Sequence, residues 1–139
     1  MASAGRPGKR VGDTMFDGVT KIKGDIGLIV VTGRITSENS EQFANAIQEV
    51  AKEAGVRLLI DMAGLDYMSS AGLGVILNAR KNMGAGRLFL SAPNETVRKV
   101  LAVGQLEDLI IKHDCRRPND IEAYLDCLKE YFAGMSGSK

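Results

Sequence analysis

The chain reads as an α/β protein: one domain in which a small mixed β-sheet of four to five strands packs against about four helices. Three observations predict this. Strand-like and helix-like hydrophobic patterns alternate along the chain. Two short apolar runs, Leu58-Leu59-Ile60 and Leu88-Phe89-Leu90, lack polar alternation, as do strands covered on both faces. Two strand signals separated by Lys23-Gly24-Asp25 read as an opening hairpin, which sets one antiparallel strand beside a parallel set. A chain of 139 residues, 45% hydrophobic and 25% charged, suits one core.

The elements follow in order. Residues 1–14 are rich in Gly, Ser, Arg and Lys with almost no apolar content, so a disordered leader is expected there, a domain over 15–133 and a disordered tail over 134–139. Strands over 19–22 and 26–32 form the hairpin, and Gly33 ends the second. Ser37, Asn39 and Ser40 offer N-caps for a helix to about Ala54, stopped by Gly55, with Phe43, Ile47, Val50, Ala51 and Ala54 as its apolar stripe. A strand over 56–62 follows, its buried run ending in Asp61. A short loop, with Tyr67 and Met68 near its tip, then leads to Ser69 and Ser70.

These serines open a second helix, whose stripe is Leu73, Ile76, Leu77 and Met83 and whose stop is Gly84 and Gly86. The strand over 88–90 is ended by Pro93. Asn94 caps a short helix carrying Val97, Val100 and Leu101, which stops near Gly104. Residues 109–111 form a fifth strand or an extended segment. Asn119 or Asp120 caps a final helix with Ile121, Tyr124, Leu125, Leu128 and Phe132 facing inward. Right-handed crossovers connect the parallel strands.

Several function classes lose support. Net charge is +1, from 18 basic and 17 acidic residues, so no one-sign field draws nucleic acid or membrane. No apolar run approaches the roughly 18 residues of a membrane span. Cys115 and Cys127 are too few for a disulfide framework, and no secretory h-region is present. A reducing, cytoplasmic setting is therefore expected, with Cys127 simply packed between inward-facing Leu125 and Leu128.

Enzyme chemistry finds no foothold. The single histidine, His113, reads as a surface or strand-end residue, and no Gly-x-Ser-x-Gly elbow exists for it to serve. His113, Cys115 and Cys127 fall short of the four closely spaced ligands of a structural zinc site. No phosphate loop occurs. Asp61 and Asp66 flank the loop before Ser69 without a partner base. No catalytic residue, metal or cofactor is expected.

Ser70 carries the most information. A serine in the first turn of a helix lies among unpaired N–H groups and a partial positive charge. Its hydroxyl caps the helix, and a phosphate there would meet the same N–H groups. Phosphorylation would add roughly 1.5 to 2 negative charges without unfolding the helix. Either Ser69 or Ser70 also serves as a plain N-cap. Gly72, inside the first turns of a helix, points to close approach by a neighbouring element or a partner.

The run from Leu58 to Leu77, with its strand, Asp61, loop and Ser69-Ser70-Ala71-Gly72-Leu73 opening a helix, resembles the signature of the STAS domain family of sulfate transporters and anti-sigma factor antagonists. The resemblance covers about 24–111, and more loosely extends to 132. It implies a STAS-like fold. For the antagonist branch it implies a non-enzymatic partner switch. The unmodified protein binds an anti-sigma factor with serine kinase activity, is released when that kinase modifies the serine two residues before Gly-Leu, here Ser70, and is restored by a serine phosphatase.

Ser69 is the second choice of acceptor. Thr36, Ser37, Met68, Ser69, Gly72 and Leu73 are the expected partner contacts, on a monomer or weak homodimer. Three positions depart from the common pattern: Ser69 and Thr36 stand where many members carry Asp, and Ala63 where many carry Ser or Thr. The alternative is a constitutive STAS binding or scaffold subunit of a transport or signalling complex, in which Ser70 is only a cap.

Overall fold

The computed structural model describes residues 16–53, 55–84, 86–113, 115 and 120–137, with side-chain packing described between 20 and 134. The expected leader, Ala54 and the Asn119 cap lie outside the described residues.

Among the described residues five strands form one sheet in the order β1 (Phe16–Lys23), β2 (Ile26–Ile35), β3 (Arg57–Met68), β4 (Leu88–Ser91) and β5 (Ile110–Ile111). β1 runs antiparallel to β2, closing the hairpin at Lys23↔Ile26, and every other pairing is parallel. The helices are α1 (Ser40–Ala51), α2 (Ser70–Met83), α3 (Glu95–Val103) and α4 (Ile121–Gly137), and a 3-10 turn, Glu107–Leu109, precedes β5. The mixed α/β architecture is the one the hydrophobic pattern predicts.

Side chains alternate across the sheet and create two cores. Leu58, Ile60 and Met62 of β3 join Phe43 and Ile47 of α1, Ile76 of α2 and Val97 and Leu101 of α3 in the larger one. On the opposite face Ile26, Leu28 and Leu59 meet Tyr124, Leu125, Leu128 and Phe132 of α4. The continuous apolar runs read in the sequence are thus strands covered on both faces.

Several boundaries differ from expectation. Gly33 does not end β2: it takes φ +94°, which suits glycine, and the strand continues to Ile35. The loop expected after Asp61 is strand: β3 runs on to Met68, pairing Arg34↔Tyr67 and Ile35↔Met68. Two register shifts hid this, because they break the period-2 pattern that a strand shows in sequence. Leu77, expected in the core stripe of α2, is 40% exposed, while Ala79 takes a buried position instead. α4 continues through Gly137, beyond the expected boundary at 133.

The cysteines also overturn an expectation. Cys115 and Cys127 are joined by a disulfide across 12 residues, with Cα atoms 5.4 Å apart. Composition alone could not show that the end of the sheet and the face of α4 bring them together.

Candidate functional site

The site is the N-terminus of α2 and the strand end that delivers it. Ser69 has extended backbone, and its Oγ accepts from the Ala71 N–H at 3.2 Å, so Ser69 is the N-cap. Ser70 is the first helical residue and is exposed. The two serines therefore differ: one hydroxyl satisfies the helix, and the other faces solvent beside the unpaired amides of the first turn. Among the first-turn residues of α2 none is acidic.

Beneath them lies a tight contact. Met68 is fully buried, and the Ser69 N–H donates to the Ile35 carbonyl at 2.9 Å, extending the β2–β3 pairing to the helix cap. A Cβ on Gly72 would sit 2.5 Å from Met68 Cγ and 2.8 Å from Ile35 Cγ2. The close approach read at Gly72 is therefore made by the chain's own strands. Leu73 is only 8% exposed and packs in the larger core. Of the expected contact residues, Met68, Gly72 and Leu73 shape the site from below, while Thr36, Ser37 and Ser69 retain exposure.

Both register shifts in β3 are held by side chains. At the first, between Val30↔Asp61 and Thr32↔Gly64, the Ala63 N–H donates to Asp61 Oδ1 at 2.9 Å. Asp61 is fully buried, and its Oδ2 accepts from the Tyr124 hydroxyl of α4 at 2.7 Å. A buried carboxylate needs such donors. At the second shift, Asp66 is the extra residue, and the Asn94 side-chain amide donates to the Leu65 and Asp66 carbonyls at 3.2 and 3.3 Å. Asn94 Oδ1 meanwhile accepts from the Val97 N–H at 2.8 Å, which makes it the N-cap of α3, as expected.

The neighbouring loop is fastened in the same manner. Asn39 is buried, its Oδ1 accepts from the Thr36 N–H at 2.8 Å, and its Nδ2 donates to the Arg34 carbonyl at 2.8 Å. The Arg34 guanidinium lies 4.7 Å over the Tyr67 ring, a cation–π contact between the ends of β2 and β3. Thr36 and Ser37 are thereby set beside the start of α2.

Sequence reasoning singled out Ser69, Ser70 and Asp61, and it read Asn39 and Asn94 as caps. It missed the bridging roles of Asn39 and Asn94 and the Tyr124–Asp61 bond. The signal available was weak: polar residues at strand ends look alike whether they cap, bridge or catalyse.

Other chemistry is sparse. His113 is half-buried against the Tyr124 and Tyr131 rings, and its Nδ1 accepts from the Cys115 N–H. Among the described residues no group of three or more His, Cys, Asp or Glu side chains could hold a metal, and no helix is long and apolar enough to cross a membrane. A cleft of about 330 Å³ lies between α1 and the later turns of α2, lined by Ile47, Val75 and Met83 among others, away from Ser70.

Comparison with known proteins places this geometry. Residues 19–119 match the model of the STAS domain. The fold is similar to that of the anti-sigma factor antagonist SpoIIAA in its unphosphorylated form, with a TM-score of 0.63 and 22% identity over 70% of this chain and 89% of that one. It is similar to SpoIIAA of Bacillus in the phosphorylated form, with a TM-score of 0.59 and 22% identity over 70% of this chain and 92% of that one. It is also similar to an anti-sigma factor antagonist from Mycobacterium paratuberculosis, with a TM-score of 0.65 and 16% identity over 86% of this chain and 98% of that one. A mixed five-stranded sheet, a Ser-Ser-Ala-Gly-Leu helix opening and a family match spanning most of the domain agree: the chain belongs to the STAS domain family.

Proposed function

We propose that the chain is an anti-sigma factor antagonist, a partner switch in transcription control, with Ser70 as its phosphorylation site. In this reading the unmodified protein binds an anti-sigma factor with serine kinase activity and so frees a sigma factor. Phosphorylation of Ser70 releases the complex, and a serine phosphatase resets it. The chain is the substrate in this cycle and needs no active site or cofactor of its own.

The observation that carries this reading is the division of labour between the serines. Ser69 is engaged as the N-cap, whereas Ser70 is exposed one residue later. A phosphate on Ser70 would bring roughly 1.5 to 2 negative charges to the positive end of the α2 dipole. The helix would tolerate it, and an acidic or apolar partner surface docked there would not. The likeness to SpoIIAA structures of both forms supports a modification that changes surface charge and keeps the fold.

The proposed contact surface combines Thr36 and Ser37 on one side with Ser69, Ser70 and the exposed stripe of α2 on the other. Gly74 and Leu77 continue that stripe at helical spacing, and both are exposed. A large apolar side chain left outside at this place suits a protein contact.

Ser70→Asp is expected to abolish binding to the anti-sigma factor and Ser70→Ala to retain it, read by co-purification. Equal binding by both variants would sink phosphorylation control at this position. In protein from native cells, trypsin cuts after Arg57 and Arg80, leaving a peptide whose only hydroxyl side chains are Tyr67, Ser69 and Ser70. A condition-dependent phosphate on Ser70 is the expected result, and no phosphate under any condition would favour a constitutive binding subunit.

A further inference from the structure

We propose that the Cys115–Cys127 pair is a second modification site, a thiol–disulfide switch that sets how firmly α4 holds the strand leading to Ser70. Its effect on partner docking rests on the reading of Ser70 above; the coupling inside the domain does not.

The connection runs through a few named groups. In register, Asp61 of β3, Ser91 of β4 and Ile111 of β5 lie side by side across the sheet. α4 meets this row at two points. Tyr124 donates to Asp61 at the centre of the sheet, and Cys127, three residues on and so on the same helix face, is bonded to Cys115 just beyond β5. One tie is covalent and the other is a hydrogen bond to a carboxylate, spaced by less than one helical turn.

The covalent tie matters because, among the described residues, β5 gives the connection only a short hold on the sheet, beside the His113 contacts with Tyr124 and Tyr131. β5 is two residues long, and its ladder to β4 has two register pairs. Cys115 is 3% exposed within the second core. Cutting the tie removes the covalent hold on the middle of α4 and leaves its packing and its contacts through Phe132 in place, and the Tyr124–Asp61 bond depends on how that middle turn sits. Asp61 in turn holds the Ala63 amide at the first register shift of β3. The direction of 64–68, and with it the presentation of Ser69 and Ser70, follows from that shift.

The chemistry needs a low-molecular-weight thiol as reductant. Its thiolate attacks the sulfur of Cys127, the less buried of the two cysteines. The Cys115–Cys127 bond breaks, Cys115 leaves as a thiolate and takes a proton, and a mixed disulfide remains on Cys127. A second thiolate attacks the reagent's sulfur, releasing Cys127 as a thiol and the reagent as its disulfide. Two electrons pass from two reagent thiols to the protein disulfide, and excess reagent disulfide reverses the sequence.

The test is hydrogen exchange on the whole chain, oxidised and after treatment with dithiothreitol. Reduction is expected to speed exchange of the Ala63 amide about tenfold or more, as loss of a hydrogen bond to a charged group would, while amides of α1 keep their protection. Cys127→Ser should reproduce the reduced state. Tyr124→Phe, in protein with the disulfide intact, should speed Ala63 alone, which separates the relay from general loosening of α4. If reduction speeds exchange in α4 but leaves Ala63 unchanged, the disulfide is a local brace and the proposal fails. It also fails if Tyr124→Phe leaves Ala63 protected, or if titratable thiols stay at two across glutathione buffers from fully reduced to fully oxidised. None of these readings involves phosphorylation, so failure of the Ser70 assignment would leave them standing.

Discussion

The two faces of the sheet are closed by different means. α1, α2 and α3 each lie in a crossover between consecutive parallel strands, so chain connectivity itself lays them on one face. Their core is a set of well-buried apolar side chains supplied by the stripe of each helix. Among the described residues α4 follows the last strand and lies in no crossover between strands. It is held by specific ties: a tilted aromatic contact, with Phe89 and Phe132 ring centroids 4.9 Å apart; the Arg57 guanidinium, which donates to the Phe132 carbonyl at 3.1 Å; the Tyr124–Asp61 bond; and the disulfide. At the hairpin, Lys23 meets Asp126 at 2.7 Å and Glu122 at 3.1 Å. The crossover helices take directional contacts mainly at their starts, through Asn39 and Asn94, whereas those of α4 are spread along its length.

The strongest way to break this comparison is to empty each core. Phe43→Ala is expected to cost about 3–5 kcal/mol and to lower a single cooperative urea transition, because α1 belongs to the main core. Phe132→Ala is expected to loosen α4 by local opening, so that its amides exchange faster while those of α1 stay protected. Equal loss of protection in both helices would show that the faces fold as one unit and that the distinction is only architectural.

A smaller effect sharpens the reading of the site. Ser69→Ala removes the cap of α2 and is expected to cost about 1 kcal/mol in denaturant unfolding. Ser70→Ala, at an exposed first-turn position, is expected to change stability by less than about 0.5 kcal/mol. The reverse order would mean that Ser70 is the structural serine and Ser69 the free one.

The smallest effect concerns the hairpin tie. Hydrogen bonds from Lys23 to Asp126 first, and then to Glu122, raise the lysine pKa above its ordinary 10.5. The folded value therefore exceeds the unfolded one, and the stabilisation is complete below about pH 10.5 and is lost as pH rises through the folded value. Both partners are well exposed, so solvent screening keeps the contribution small. Thermal melts of wild type and Lys23→Gln should differ slightly at pH 8 and converge as pH rises past the folded value. A gap that persisted at high pH would mean that Lys23 acts through packing.

Much of this was legible in the sequence for physical reasons that particular residues illustrate. Asn94 before Val97 signals a helix start because capping is local, and Leu58-Leu59-Ile60 signals a two-sided strand because both faces must be apolar. The second half of β3 was not legible. Its two extra residues throw Ala63 to Met68 out of phase, and the bonds that repair the shifts come from Tyr124 and Asn94, far along the chain. Leu77 was misread for a related reason: helical spacing places it near the core stripe, but only the neighbouring elements decide how wide the covered face is.

The amino-acid sequence by itself determined the order of elements, the α/β class and a helix opening with two adjacent serines, since these depend on patterns within a few turns or one strand. Tertiary structure alone decided which serine caps α2 and which faces solvent, why Gly72 must lack a side chain, and that Cys115 meets Cys127. Each of these depends on where segments remote in sequence come to rest, and that position is set by packing the whole chain on both faces of the sheet.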